Sequence, residues 1–385
     1  MGGSGAAIYF ELSVKFVSNL WRLDIDAGTL KAGSLVQLTA GAGQDTRLAV
    51  SRDGRKIAFT TKAESIRIWS YRLHPVTGRV TSNGDPVTDP TMALPAHAAL
   101  APDGRHLAYA ITGVGTGRWE LWTTDLMTGQ KHLVSRDNHD RFDPKWSRDG
   151  RRLVYHWGRG VEGRTASRSP DNSVAVRQVP AGDETLLSTP RQGNVQPHDW
   201  SPDGNAILVS WSRPGQDTVL TLWPVAAAPH ADTQAMLVAG EPKHGLWQAR
   251  FSPNGRWISF LAVTPQNTAV VCVVPSSART ARATDWTCLT DPRIWMDKPR
   301  WSSDGKLLYV WRRHGSFFNV WALRFDDARG TVAGAPIQIT HLDSPAHRIW
   351  ADDLGIAEPS VAGTRMTLPV AQATGSIWML DNVDR

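Results

Sequence analysis

The side chains most able to do chemistry in this 385-residue chain recur at one kind of place. A few residues ahead of each of a series of Asp-Gly turns stands a polar or charged group: Asp45, His97, Asp143, His198 with Asp199, Gln248, Asp297, and Asp352 with Asp353. Carboxylates, imidazoles and an amide gathered in one ring would bind a cation, a basic peptide or a polar small molecule. The same groups would equally cap a channel with hydrogen bonds and water. Their offset from the turn drifts by one to three residues, as hydrogen-bonding caps would tolerate.

Patterns with a catalytic mechanism are missing from the sequence. There is no Gly-x-Ser-x-Gly elbow, no His-Glu-x-x-His, no Walker loop and no Gly-x-Gly-x-x-Gly opening a helix. The twelve His are dispersed, and none pairs with another at metal-ligand spacing. Asp326-Asp327 and Asp352-Asp353 fall in expected loops. Two carboxylates can hydrolyse a glycoside, but a chain with 36 acidic residues produces such pairs by chance. No catalytic residue, metal ligand or cofactor is therefore assigned. The two cysteines, Cys272 and Cys288, lie in neighbouring expected strands of one repeat. They are placed to form a cross-strand disulfide in an oxidising compartment, or else to serve as two small buried apolar residues.

Composition narrows the partners. The formal charge is +6, but the arginines are scattered through repeated turns, as at Arg52 and Arg55 or Arg148, Arg151 and Arg152. That distribution reads as a solvated surface rather than a nucleic-acid footprint. No stretch reaches the roughly 20 apolar residues of a membrane helix. The opening residues lack a basic region followed by a long apolar run. The chain is expected in the cytoplasm as it stands, or in the periplasm or another extracytoplasmic space if it belongs to a longer membrane-anchored protein.

The elements that must position these residues come from an internal repeat. Ser51-Arg-Asp-Gly-Arg-Lys-Ile-Ala-Phe59 recurs as Ala101-Pro-Asp-Gly and Ser147-Arg-Asp-Gly. It recurs again as Ser201-Pro-Asp-Gly, Ser252-Pro-Asn-Gly, Ser302-Ser-Asp-Gly and a worn Ser360-Val-Ala-Gly363. Asp-Gly between two short apolar runs predicts a hairpin with a type I′ turn. A large apolar residue usually precedes the serine: Trp146, Trp200, Phe251, Trp301. A further strand follows at Ile68-Trp69, Leu121-Trp122, Leu222-Trp223, Val320-Trp321 and Ile377-Trp378. A fourth ends in pairs such as Leu38-Thr39, Leu289-Thr290 and Ile339-Thr340.

Four strands per unit predict an all-β protein: one β-propeller domain over residues 1–385, with four-stranded antiparallel blades, seven of them or eight. About half of the 18 tryptophans fall at the repeated positions and are expected between blades. The chain opens within a unit and closes within another. Leu35 to Thr39, together with Asn19 to Asp24, is expected to complete the last blade and close the ring. The opening would otherwise continue from upstream sequence. In such a ring the first strand of each blade is innermost, so the polar residues named above would form a collar at one channel mouth.

The pattern Trp-Ser-x-Asp-Gly-x-x-[Ile/Leu]-x-[Phe/Tyr], followed by Ile-Trp, resembles the TolB-like, WD40-like (PD40) propeller repeat over roughly residues 8 to 381. The resemblance implies a propeller with a central channel. It also implies homes as varied as periplasmic proteins, peptidase and lyase domains, and the sensor halves of bacterial regulators. The expected function is a non-catalytic, monomeric binding or sensing propeller that recruits a protein, peptide or small polar ligand or cation at the channel mouth. The alternative is an enzyme acting on a carbohydrate or peptide with residues spread over several blades.

Overall fold

The computed structural model describes residues 6–14, 17–41, 43–89, 94–112, 118–135, 137, 139–158, 173–188, 193–213, 215–226 and 236–383. Among them are strands and turns, one 3-10 turn at Ala283–Asp285, and no α-helix. The chain divides into two compact units. Met1–Ser65, Pro345–His347 and Ala371–Arg385 make the smaller; Ile66–Ser344 and Arg348–Val370 make the larger.

In the smaller unit β1 (Ala6–Val14) pairs antiparallel with β2 (Val17–Ile25), and β2 with β3 (Ala32–Gln37). β4 (Gln44–Val50) leads into the first repeat turn and pairs with the start of β5 (Lys56–Arg72). Leu20, Ile57, Phe59 and Val383 form its small core.

The larger unit is a propeller of antiparallel blades. After β6 (Asp85–Pro86), five four-stranded sheets follow in chain order. The first is β7 (Pro95–Leu100), β8 (His106–Thr112), β9 (Trp119–Asp125) and β10 (Lys131–Leu133). The second is β11 (Asp140–Trp146), β12 (Arg152–Gly158), β13 (Ser173–Gln178) and β14 (Glu184–Leu186). The third is β15 (Asn194–Trp200), β16 (Ala206–Ser212), β17 (Val219–Pro224) and β18 (Met236–Gly240). The fourth is β19 (Gly245–Phe251), β20 (Trp257–Val263), β21 (Ala269–Pro275) and β22 (Thr287–Cys288). The fifth is β23 (Met296–Trp301), β24 (Leu307–His314), β25 (Phe317–Asp326) and β26 (Thr331–Gln338).

A further set of four is composite. β27 (Asp343–Ser344) and β28 (His347–Ile349) precede β29 (Ser360–Ala362), which pairs with the start of β30 (Arg365–Asp381). β30 neighbours β5, and the end of β5 pairs with β6. The inner strands β7, β11, β15, β19, β23 and β29 then neighbour one another in that order, and β29 meets β7. Apolar clusters fill the gaps between successive blades. One, for example, sets Trp200, Ile207 and Trp223 against Val154 and Val176 of the preceding blade.

Three expectations are corrected. Seven repeat copies do not give seven blades: five stand as separate sheets, and the first and last copies are shared out differently. Nothing in Lys56–Arg72 (KIAFTTKAESIRIWSYR) is a Gly, Pro, Asn or Asp, so no residue there reverses the chain. The strands expected on either side of a turn therefore fuse into one 17-residue strand; β30 also runs through 17 residues, although Pro369 and Gly375 lie within it. Each long strand gives one part to each unit.

Closure differs too. Leu35 to Gln37 pairs with Trp21 to Leu23 in the smaller unit, while the strand beside β30 in the larger unit is the second half of β5. Finally, the Asp-Gly turn is not type I′. The glycines have positive φ, as at Gly54 (71°) and Gly204 (70°), but the aspartates before them do not. Gly204 N–H bonds to Ser201 O at 2.9 Å, and Ser201 Oγ donates to Asp203 at 2.5 Å while accepting from Ala206 N. The serine side chain thus closes a type I turn followed by a left-handed glycine, which is why Ser accompanies Asp-Gly in the repeat.

Candidate functional site

The inner strands share one irregularity that positions the channel side chains. Strict alternation in a strand would send every second residue inward. Here the register slips between Ala96 and Ala99, Phe142 and Lys145, Pro197 and Asp199, Trp247 and Arg250, and Asp297 and Arg300. Each slip lies just ahead of the repeat turn. Four of the bulged residues adopt a left-handed backbone: His97 (φ 53°), Asp143 (56°), Gln248 (57°) and Lys298 (57°). In β15 the corresponding residue is Pro197, whose ring forbids that φ, and the slip there spans one residue fewer. Bulges of this kind re-aim side chains and cluster near binding sites.

Residues four places before the turn meet partners from other inner strands or from the segment leading into β29. His97 Nδ1 lies 3.4 Å from Asp143, which is also paired with Lys145. Gln248 Nε2 donates to Glu358 at 2.8 Å, and Lys298 Nζ reaches the same carboxylate at 3.2 Å. Arg300 completes this cluster, bonding Glu358, Gln248 Oε1 (3.1 Å) and the Pro359 carbonyl (2.9 Å). All of these groups are buried. Burial pushes the Asp143 carboxyl up, but the Lys145 ammonium and His97 outweigh it and hold it well below the usual carboxylate range. Glu358 is likewise held low against burial by Lys298 and Arg300. Burial lowers Arg300 to about 10.

Five of the residues two places before the turn, Ala99, Lys145, Asp199, Arg250 and Arg300, line a cavity of about 370 Å³, to which all six inner strands contribute. Lys145, Asp199, Arg250 and Arg300 are the charged ones, and Arg148, from the second blade's turn, joins them. Arg148 donates to the carbonyls of Ser252 and Pro253, in the turn of the fourth blade. Other copies carry Pro102, Pro202 or Pro253 where Arg148 stands. Asp199 accepts from Trp200 N (2.9 Å) and Phe251 N (2.8 Å), and burial raises its pKa. His198 is buried, and burial, then the Arg250 charge, keeps its pKa well below normal.

The structure brings together six of the expected collar residues: His97, Asp143, His198, Asp199, Gln248 and Asp297 lie on inner strands of one unit. Asp297 is buried beside Lys298, which carries its N–H to the Asp297 carboxylate, and burial raises its pKa. Three fall elsewhere. Asp45 belongs to the smaller unit, where it accepts from Thr61 Oγ1 at 2.6 Å. Asp352 is paired with Arg348 at 3.0 Å on the surface, and Asp353 caps a turn through Gly355 N at 2.8 Å. Cys272 and Cys288 face each other across β21 and β22 and are joined in a disulfide.

Sequence reasoning missed the basic half of the site: Lys145, Arg148, Arg250, Lys298 and Arg300, with Glu358. A signal was present, because Lys145, Asp199, Arg250, Arg300 and Glu358 all stand two residues before their Ser. Basic residues at that offset look like ordinary surface residues, and a bulge leaves no mark on the sequence. Among the described residues no three His, Cys, Asp or Glu gather as metal ligands. What converges on the cavity is a set of cationic hydrogen-bond donors.

No family model matches the chain. Among solved structures it is similar to TolB from Acinetobacter baumannii, at 12% identity over 87% of this chain and 82% of that one, with a TM-score of 0.50. It is also similar to a structure assigned to TolB of Agrobacterium tumefaciens, at 16% identity over 81% of this chain and 99% of the other, with a TM-score of 0.54. At such identities the likeness is one of fold: a TolB-like β-propeller.

Proposed function

We propose that this TolB-like propeller is a binding module, not a catalyst, and that its ligand enters the channel cavity beside the repeat turns. One observation carries the reading. Six inner strands converge on a single concavity of about 370 Å³, within the range of small-molecule sites, with polar groups aimed into it from several blades. Side chains held by buried neighbours on rigid strands are pre-organised, which lowers the ordering cost of binding. A small polar ligand or the end of a partner peptide fits this description. The module would serve as the sensing part of a larger bacterial regulator, or as a recruiter on its own.

The test is a screen of small polar metabolites and short peptides by thermal shift, followed by tryptophan fluorescence, since Trp146 and Trp301 line the cavity. Ser303, exposed at the cavity rim, offers a plug. Ligands are expected to raise Tm and to lose binding in Ser303→Trp, while that variant still unfolds cooperatively after losing its bond to Gly363 N. Ligands that bind the plugged variant equally well would place recognition elsewhere. Steady consumption of a bound carbohydrate or peptide would replace the binding reading with the enzymatic one.

A further inference from the structure

We infer that the channel cavity takes a small oxyanion, recognised through the guanidinium groups of Arg148 and Arg250. This rests on the cavity being the binding site and adds the chemical class of what it binds.

Four cationic side chains line the cavity, Lys145, Arg148, Arg250 and Arg300, against the single carboxylate of Asp199. Two of the cations are matched: Lys145 by Asp143 and Arg300 by Glu358, neither of which lines the cavity. The other two have only the Asp199 carboxylate between them. Among the described residues Arg148 donates only to the carbonyls of Ser252 and Pro253, and Arg250 only to those of His198 and Ala249. Asp199 has both carboxylate oxygens committed to main-chain amides. A guanidinium has five donors, so each arginine keeps several for a ligand. His198 adds an orphaned polar atom: its Nε2 is buried and has no partner among the described residues.

Two guanidinium groups set against the one carboxylate of Asp199 leave an excess positive charge, which at a partly enclosed, low-dielectric site attracts and holds negative charge. The planar fork of arginine fits the paired oxygens of a carboxylate or a phosphate. Within the five separate blades Arg148 is the one arginine at that turn position, where three of the others carry proline; the first copy carries Arg52 there, in the smaller unit. A cavity of this size admits a small molecule. The shared chemistry is therefore an oxyanion carried by a small dicarboxylate or by a phosphate-bearing metabolite.

Isothermal titration calorimetry of the full chain with malonate and with inorganic phosphate tests this. Binding is expected to weaken about tenfold or more in Arg148→Gln and in Arg250→Gln, and to weaken as NaCl is raised. Tighter malonate marks the dicarboxylate source and tighter phosphate the phosphate source. No binding of either anion, or binding unchanged in both variants, overturns the proposal. Should Arg250→Gln fail to fold, phenylglyoxal labelling of the native chain decides. Saturating malonate or phosphate is expected to slow modification of Arg148 and Arg250 several-fold, and unslowed labelling overturns the assignment. A neutral disaccharide that quenches Trp146 and Trp301 where neither anion binds overturns the oxyanion yet leaves the cavity reading standing. Anion binding that survives Ser303→Trp overturns the cavity reading itself.

Discussion

The indole N–H of Trp200 donates to the main-chain carbonyl of Lys145 at 3.0 Å, joining the third blade to the second. The same bond recurs from Trp146 to Ala99 (3.0 Å) and from Trp301 to Arg250 (3.3 Å). Each tryptophan just before a repeat serine thus fixes the backbone of a cavity-lining residue on the preceding blade. In β19 the residue is Phe251, which has no such donor, and its backbone N–H instead binds Asp199 of the preceding blade at 2.8 Å. The tryptophans just before the repeat serines are therefore fasteners of the site.

Trp200→Phe removes this bond and leaves the Lys145 carbonyl buried without it. The side chain is fully buried, and the Arg152 guanidinium lies 4.4 Å from its ring. A loss of about 2 kcal/mol or more in urea unfolding is expected, combining the unpaired carbonyl with the lost packing. A change within the noise would mean the interblade bond is dispensable.

Glu358→Gln strips the carboxylate from Lys298 and Arg300, all three of them buried. Two cations left without their partner in a low-dielectric interior should cost about 3–5 kcal/mol. Asp352→Asn, which breaks a surface pair with Arg348, should cost less than about 1 kcal/mol. Chemical denaturation of the two variants side by side separates a buried charge cluster from a solvated one.

His156 makes stability depend on pH. It is buried against Phe142, with ring centroids 4.7 Å apart, and burial lowers its pKa to about 4 despite the opposing charge of Asp143. His97 and Lys145 add to the lowering. The unfolded chain takes up this proton near the ordinary value of 6.5 and the folded chain only near 4. The contribution is therefore complete above pH 6.5 and is lost as pH falls toward 4, reaching about 3 kcal/mol. His156→Gln should reduce the slope of unfolding free energy against pH in that window by up to about one proton. An unchanged slope would show that His156 titrates normally in the fold.

The Cys272–Cys288 disulfide closes a 16-residue separation. Cys288→Ser should lower stability by about 3 kcal/mol, and added reductant should shift the Tm of the native chain but not of the variant. An equal shift in both would exclude a formed bond.

Much of the architecture was legible in the sequence. Ser-x-Asp-Gly at near-constant spacing announces hairpins, because the serine and aspartate side chains close the turn locally and the glycine supplies the positive φ at no steric cost. The collar was half legible. His97, Asp143, His198, Asp199, Gln248 and Asp297 were found from their distance to the serine. Their basic partners were not, because Lys145, Arg250 and Lys298 look like ordinary surface residues in a chain of net charge +6.

The sequence by itself determined the repeat, the hairpin turns, the four-stranded blade and the all-β class, since each depends on residues within one unit. The tertiary structure alone decided three things. It assigned the first and last copies to composite sheets, because two long strands carry on where a turn was expected. It placed a bulge in the inner strands, so that residues two and four before the turn both serve the channel. It also chose which charges are matched and which are left open. Those choices depend on which blades lie together, a relation among residues 51 to 104 positions apart that no local pattern records.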